Sequence, residues 1–273
     1  MMRALYTAAS GMIAQQTNVD VISNNLANVN STGYKTSTAE FKSLLYQTLQ
    51  SRSTSANGDY KPIPAQVGTG TRNASITTQF TQGALIDSGN AFAFAIQGDG
   101  MFGLIGADGE MLYTRNGNFG MATYGEDEYM LCSSEGYPVV DSDGQPIIFN
   151  KDMYEPNKLV ITGEGSFCYP DQDGNLEDLE IRIGVYQFTN PSGLDSVGSS
   201  MYKESDASGY AMEETAFTEL KKSTIVQGRL EASNVQVADE MVNLIVAQRA
   251  YEMNSKAIQT ADDMLSLANQ LKR

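Results

Sequence analysis

The side chains best suited to chemistry gather in the middle of the chain. Asp171-Gln172-Asp173-Gly174, with Glu177 and Asp178 close behind, invites a calcium reading. The run lacks the third spaced ligand and the distant Glu of a twelve-residue calcium loop, so a turn with solvated acids is expected. Gly98-Asp99-Gly100 is half of a glycine-rich loop without the strand–turn–helix setting of a phosphate site, and reads as a hairpin turn. Acids abound, so carboxylate pairs for glycoside hydrolysis are available by number, yet no Trp offers a sugar platform and no pairing stands out. With no His in the chain, a Ser or Cys nucleophile lacks its usual base and a metal its commonest ligand. Cys132 and Cys168 are too few for a four-ligand zinc site and show no C-x-x-C spacing; they form one disulfide or stay as buried thiols. The expectation is a protein that is not an enzyme, with no catalytic residue, no cofactor, no metal and no small-molecule substrate.

Charge separates the chain into three parts. The net charge of −15 over 273 residues falls almost wholly on residues 51–224, where ten bases meet twenty-five acids. Residues 1–50 and 225–273 are nearly neutral. No basic stripe is present to neutralise phosphates, so nucleic acid is not an expected partner, and the acidic middle reads as a solvated surface. The start, Met1-Met2-Arg3-Ala4-Leu5, has no long apolar run, which predicts no signal peptide, and no stretch is apolar enough to span a membrane.

Both neutral ends carry helical periodicity. Val237, Leu244, Tyr251, Ile258 and Leu265 lie seven apart, with Ala247, Asn254, Ala261 and Ala268 three after the last four. This is the seam of a coiled coil or long packed helix, over Asn234 to Leu271 and about 55 Å in length. Ser233 with Gln236 fits a capping box at its start. Residues 4–30 repeat the arithmetic: Leu5, Met12, Val19 and Leu26, then Ala8, Gln15, Ile22 and Val29, ending at Asn30-Ser31-Thr32-Gly33 with Gly33 suited to a left-handed position. The two read as an antiparallel, coiled-coil-like pair. Asn18, Asn24, Asn25, Asn28 and Asn30 crowd the first helix although Asn is a poor helix former, which predicts amide bonds to neighbouring chains in a polymer.

Between the ends, Phe41, Leu44, Leu45, Thr48 and Leu49 mark a short amphipathic helical segment. Gln50–Gln66, rich in Ser and with Asn57-Gly58, Pro62 and Pro64, reads as a linker. From Val67 to about Ile225, turn dipeptides such as Asp108-Gly109, Asn116-Gly117 and Asp143-Gly144 separate short apolar or alternating runs. The fold class is therefore α+β: long terminal helices flanking a mainly antiparallel β domain. The expected division is 1–35 with 226–273, a helix plus extended segment over 36–66, and a β-rich domain over 67–225.

The termini also carry a resemblance. Val19–Lys35, which contains Ser23-Asn24-Asn25-Leu26-Ala27-Asn28 and Gly33-Tyr34-Lys35, resembles the N-terminal signature of the bacterial flagellar rod and hook family. Ser233-Asn234-Val235, Glu240-Met241-Val242 and the run Ala247–Lys256, with Gln248, Arg249, Ala250, Glu252, Ser255 and Lys256, resemble its C-terminal signature. Within the family, Leu45-Tyr46-Gln47-Thr48, Gly68-Thr69-Gly70 and the ending Ala268–Arg273 are most similar to subunits of the distal rod. The middle departs from the family pattern at Asn90–Phe94, Met101, Gly125–Tyr129 and around Tyr154–Phe167.

The resemblance implies a structural subunit that polymerises through its terminal helices into a hollow, stiff tube, the distal rod that transmits torque to the hook. Leu5, Met12, Val19, Ile22, Asn24, Asn25, Leu26, Asn28, Val237, Leu244, Tyr251, Asn254, Ile258 and Leu265 are then expected at subunit interfaces. Leu45, Tyr46, Gln47, Pro62 and Pro64 fall in a segment expected to stiffen the rod. Implied partners are further copies of the chain, proximal rod and hook-type subunits at the two ends, P- and L-ring proteins around the rod, and the flagellar type III export apparatus, in an extracytoplasmic basal body. A proximal rod or hook-like subunit, and a secreted binding module oligomerised by its helical ends, are the alternative readings.

Overall fold

The computed structural model describes residues 2–50, 65–125, 127–151, 153–171, 175–217 and 220–271. The chain divides into two units, one built from Met1–Ala27, Ser37–Thr77 and Gln236–Arg273, the other from Asn28–Thr36 and Thr78–Val235. The connection after the first helix and the last strands before the second thus belong with the β-structure, and residues 37–77 with the helices.

In the helical unit, α1 runs Met2–Ala27 and α2 runs Val237–Gln270. The capping box at Ser233 does not form. The N-cap is Gln236, whose side chain makes no capping bond, and the Ser233 hydroxyl accepts from the Val235 N–H instead. Asp239 and Glu240 in the first turn supply the negative charge a helix N-terminus favours. The helix expected within 36–50 is also absent. Ser37–Ser43 and Tyr46–Gln50 are strands, paired with Thr71–Thr78 and Ala65–Gly68 respectively. Backbone bonding wins here because Thr38, Glu40, Ser75 and Thr77 bond across the first pair through their side chains, a cross-strand arrangement that a helix cannot offer.

The β unit is built from short antiparallel elements. A six-stranded sheet has the order Asp195–Gly198, Met201–Lys203, Met111–Thr114, Met101–Ile105, Val185–Gln187 and Met212–Glu213. Two three-stranded sheets, one through Glu128–Ser133 and one through Ser166–Pro170, lie in the same unit. Asp108-Gly109 turns between Met101–Ile105 and Met111–Thr114, with Gly109 at φ +79°. The core is aromatic: Phe94, Phe102, Phe119, Phe149 and Phe167 are buried, and Phe102–Phe119 and Phe149–Phe167 meet edge to face at 5.1 and 5.0 Å. Phe80 and Phe188 pack, partly buried, on a smaller cluster around Tyr113 and Tyr186. Cys132 and Cys168 are separate buried thiols, and burial pushes both up from the usual thiol range. No described helix is long and apolar enough to cross a membrane.

Candidate assembly surface

The helical unit positions its side chains through an antiparallel pair. Near the middle of both helices, Gly11 of α1 faces Asn254 of α2, so closely that a Cβ at Gly11 would sit 2.9 Å from the Asn254 Nδ2. Toward one end, Asn25 reaches Glu240 at 3.4 Å. Sequence numbers therefore run in opposite senses along the contact. Part of what is buried is small, Ala8 and Ala14 on α1 and Ala247 and Ala261 on α2, beside the larger Val21, Ile22, Asn25 and Glu240. Small side chains let the backbones approach, which is also why Gly11 is tolerated inside a helix despite its cost of roughly 1 kcal/mol.

Burial of the predicted seam residues is graded. Leu5, Met12, Val19 and Leu26 are half-buried and Ile22 is buried. On α2, Leu244, Asn254 and Ile258 are half-buried, whereas Val237, Tyr251 and Leu265 remain exposed. Val19 and Tyr251 border an open groove of about 580 Å³, together with Gln16, Gln248 and Glu252.

Asn25 requires a correction. It is only 1% exposed, and its amide is spent within the chain: Oδ1 accepts from the Ser37 N–H at 3.0 Å and Nδ2 donates to the Ser37 carbonyl at 2.8 Å. The side chain mimics one strand pairing and fixes where the strand begins, so it is not an amide offered to a neighbour. Asn28 similarly accepts from the Ser31 hydroxyl at 3.1 Å. Asn24 is exposed on α1.

A second apolar stripe runs along α2, beside the seam that the seven-residue spacing marks. At about 100° per residue, Val242, Ile245 and Leu267 face away from the side that holds Ala247 and Ala261, Met253 and Leu271 lie at about a right angle to it, and Val246 and Met264 stand on its flank. All are more than half exposed, Leu271 at 89%. On α1, Met2, Tyr6 and Ile13 are likewise exposed and turned from the buried side. An apolar helix face is normally buried, and these residues stay more than half exposed. The signal was present in the sequence as a second set of three- and four-residue spacings, hidden because the first seam already explained the helix. Arg249 and Lys256 stand on the same outward side, exposed, with Arg249 3.3 Å from Glu252. Gln248 is exposed, and Ala250 and Ser255 are half-buried.

The motif Gly33-Tyr34-Lys35 belongs to the β unit and serves a buried charge cluster. Lys35 Nζ lies 2.6 Å from Glu231 Oε1, and Arg115 Nη1 lies 3.2 Å from Glu231 Oε2. Glu231 also accepts from the Gly83 N–H at 2.8 Å, while Lys35 donates to the Thr81 carbonyl at 2.8 Å. Burial pulls the Lys35 ammonium below its ordinary value, and Glu231 opposes that shift. Gly33 has φ +69°, and a Cβ there would lie 2.5 Å from the Asn116 backbone nitrogen, so both conformation and space demand glycine. Tyr34 is half-buried. Asn234, in the C-terminal signature, accepts from the Thr36 N–H and hydroxyl at 2.7 and 2.6 Å and donates to Gln79 and Thr81. Lone buried partners such as Glu231 and Arg115 have no periodicity and leave no trace in a single sequence.

Residues 45–66 are described in part. Tyr46–Gln50 pairs antiparallel with Ala65–Gly68, giving a hairpin on which Leu45, Tyr46, Gln47, Leu49 and Val67 are exposed. Pro62 and Pro64 lie outside the described residues, as do Gln172, Asp173 and Gly174 of the acidic turn.

Comparison with known proteins shows the family of the chain. Residues 5–35 match the flagella basal body rod protein family, residues 226–271 the C-terminal family of flagellar basal body rod FlgEFG proteins, and residues 95–169 the D1 domain of flagellar hook protein FlgE/F/G. Flagellar basal-body rod protein FlgG of Borreliella burgdorferi is 44% identical over 275 residues, covering all of both chains. The chain belongs to the flagellar basal-body rod family. Rod proteins named FlgG from Agrobacterium fabrum, 38% identical over 98% of each chain, and Bacillus subtilis, 36% identical over the whole of both, extend the match. The family match at both termini coincides with the two helices and with the Lys35 and Asn234 bonds, so the shared motifs are the elements that hold the chain's two ends in place.

Proposed function

We propose that this chain is a structural subunit of the distal flagellar rod, polymerising through α1 and α2 into a hollow, stiff helical tube that transmits torque to the hook. Membership of the rod family supports the coarse reading, a structural rod protein of the basal body. The observation that carries the finer one is the apolar stripe of α2, seven side chains from Val242 to Leu271 that are each more than half exposed. A contiguous exposed patch of this kind marks a contact surface, and one that differs from the surface it meets builds open helical assemblies.

The helix pair would pack in coiled-coil fashion within and between copies, with Leu5, Met12, Val19, Ile22, Leu26, Val237, Leu244, Tyr251, Asn254, Ile258 and Leu265 close to the contacts. The exposed hairpin around Leu45, Tyr46 and Gln47, with Pro62 and Pro64 beyond it, would add stiffening contacts. Proximal rod and hook-type subunits at the two ends, ring proteins around the rod and the type III export apparatus are the partners this reading implies, in a rod outside the cytoplasm. The acidic β unit would present a hydrated outer surface.

Electron microscopy of basal bodies from a strain lacking the gene tests the assignment. A short proximal stub without distal rod or hook is expected; complete basal bodies on swimming cells would refute it.

A further inference from the structure

The helical unit holds an acidic side chain that makes no ion pair among the described residues. Glu240, on the first turns of α2, is 8% exposed and borders a pocket of about 260 Å³ whose walls include Asn18, Ile22, Asn25, Asn243 and Val246. Among the described residues the Asn25 Nδ2 donates to it at 3.4 Å, and that amide makes its shorter bond to Ser37. No basic residue lines the pocket, and no ion pair among the described residues includes Glu240. A carboxylate so enclosed is costly unless a cation joins it. Burial and the neighbouring Asp239 push its carboxyl up from the usual range, against the Asn25 bond.

The complementary group stands elsewhere on the same helix. Lys256 is exposed on the outward stripe, near Met253. Unlike Arg249, which is engaged by Glu252, it has no ion pair among the described residues. Sixteen residues separate Glu240 from Lys256, about 24 Å along the helix and about 160° around it. Acid pocket and base therefore look out from nearly opposite sides of α2.

Resting on the assembly reading above, we propose that the Lys256 ammonium of one copy enters the Glu240 pocket of the next, an ion pair between copies that sets their register. Because donor and acceptor occupy opposite faces, the contact is heterologous and passes from copy to copy. The apolar stripe supplies adhesion that many offsets along the helix would satisfy. One enclosed charge pair selects a single offset, the way a buried polar position fixes register in coiled coils.

The test measures the critical concentration for polymer formation by sedimentation of the purified full-length chain. Lys256→Gln, an exposed change that leaves the fold alone, and Glu240→Gln, which keeps the shape and a group for Asn25, should each raise it roughly tenfold or more, as expected of a close intersubunit charge pair. The double variant should be no worse than either single one. In a second measurement, mixing Asn243→Cys with Lys256→Cys chains under mild oxidation should join the two by a disulfide, Cys132 and Cys168 being buried. Singles without effect, a double variant with multiplied losses, or no crosslink in wild-type-like polymer would overturn the ion pair alone. A wild-type chain that never sediments would overturn the assembly reading on which it rests.

Discussion

Lys35 and Glu231, 196 positions apart in sequence, meet at 2.6 Å with both side chains wholly excluded from solvent. Arg115 takes the other carboxylate oxygen, so one acid serves two cations and the cluster carries a net positive charge. The asymmetry has a direct consequence. Glu231→Ala strands two buried cations and should destabilise the β unit by about 3–5 kcal/mol. Lys35→Met leaves a neutral Arg115–Glu231 pair and an apolar stem of similar length, and should cost clearly less. Urea unfolding followed by near-ultraviolet circular dichroism of the tyrosines compares them; equal losses would show that Glu231 is not the organising charge.

Gly33→Ala should be costly for two separate reasons. An alanine at φ +69° is strained by about 1–2 kcal/mol, and its methyl would press on the Asn116 backbone nitrogen at 2.5 Å. Backbone cannot swing aside as a side chain can. A loss of about 2 kcal/mol or more in the same unfolding measurement is expected, against about 1–2 kcal/mol for Gly136→Ala, which shares a positive φ of +89° but where a Cβ meets nothing within 4 Å.

The pH dependence of the unassembled chain should carry the mark of Glu240. Its folded carboxyl is raised above the unfolded value, chiefly by burial, so the folded state binds the proton more tightly. Its contribution favours folding most below the unfolded value near 4.5 and fades as pH rises through the raised folded value. Thermal unfolding of wild type between pH 4 and 7 should therefore lose more stability than Glu240→Gln does over the same span. Parallel curves would mean that the carboxyl titrates as in the unfolded chain.

Helices were legible because periodicity reports them. The seven-residue spacing of Leu244, Tyr251 and Ile258 marks the side of α2 that meets α1, and the turn at Asp108-Gly109 follows from a residue pair made for positive φ. Strand Ser37–Ser43 was not legible, since Phe41 and Leu44 fit a helical spacing and the opposing Ser75 and Thr77 lie more than thirty residues on. Asn25 misled for a related reason: an amide unfavourable in a helix is explained equally well by a neighbouring copy or by a distant strand of the same chain. The charge cluster and the outward stripe of α2 needed coordinates. One joins single residues without pattern, and the other is a surplus of apolar residues whose meaning depends on which side is already covered.

Adjacent residues on α2 separate folding from assembly. Leu244 is half-buried on the α1 side, whereas Ile245 is 54% exposed on the outward stripe. Leu244→Asp places an unpaired charge in the helix pair and should destabilise the monomer by about 1–3 kcal/mol. Ile245→Asp should leave its stability within about 0.5 kcal/mol, as exposed substitutions do.

The most direct measurement is electron microscopy of basal bodies from cells whose only copy of the gene carries Ile245→Asp with Met253→Asp. The account predicts a folded chain and rods that stop short, without a distal segment or hook. Full-length rods bearing hooks would show that the outward stripe of α2 is not where copies meet.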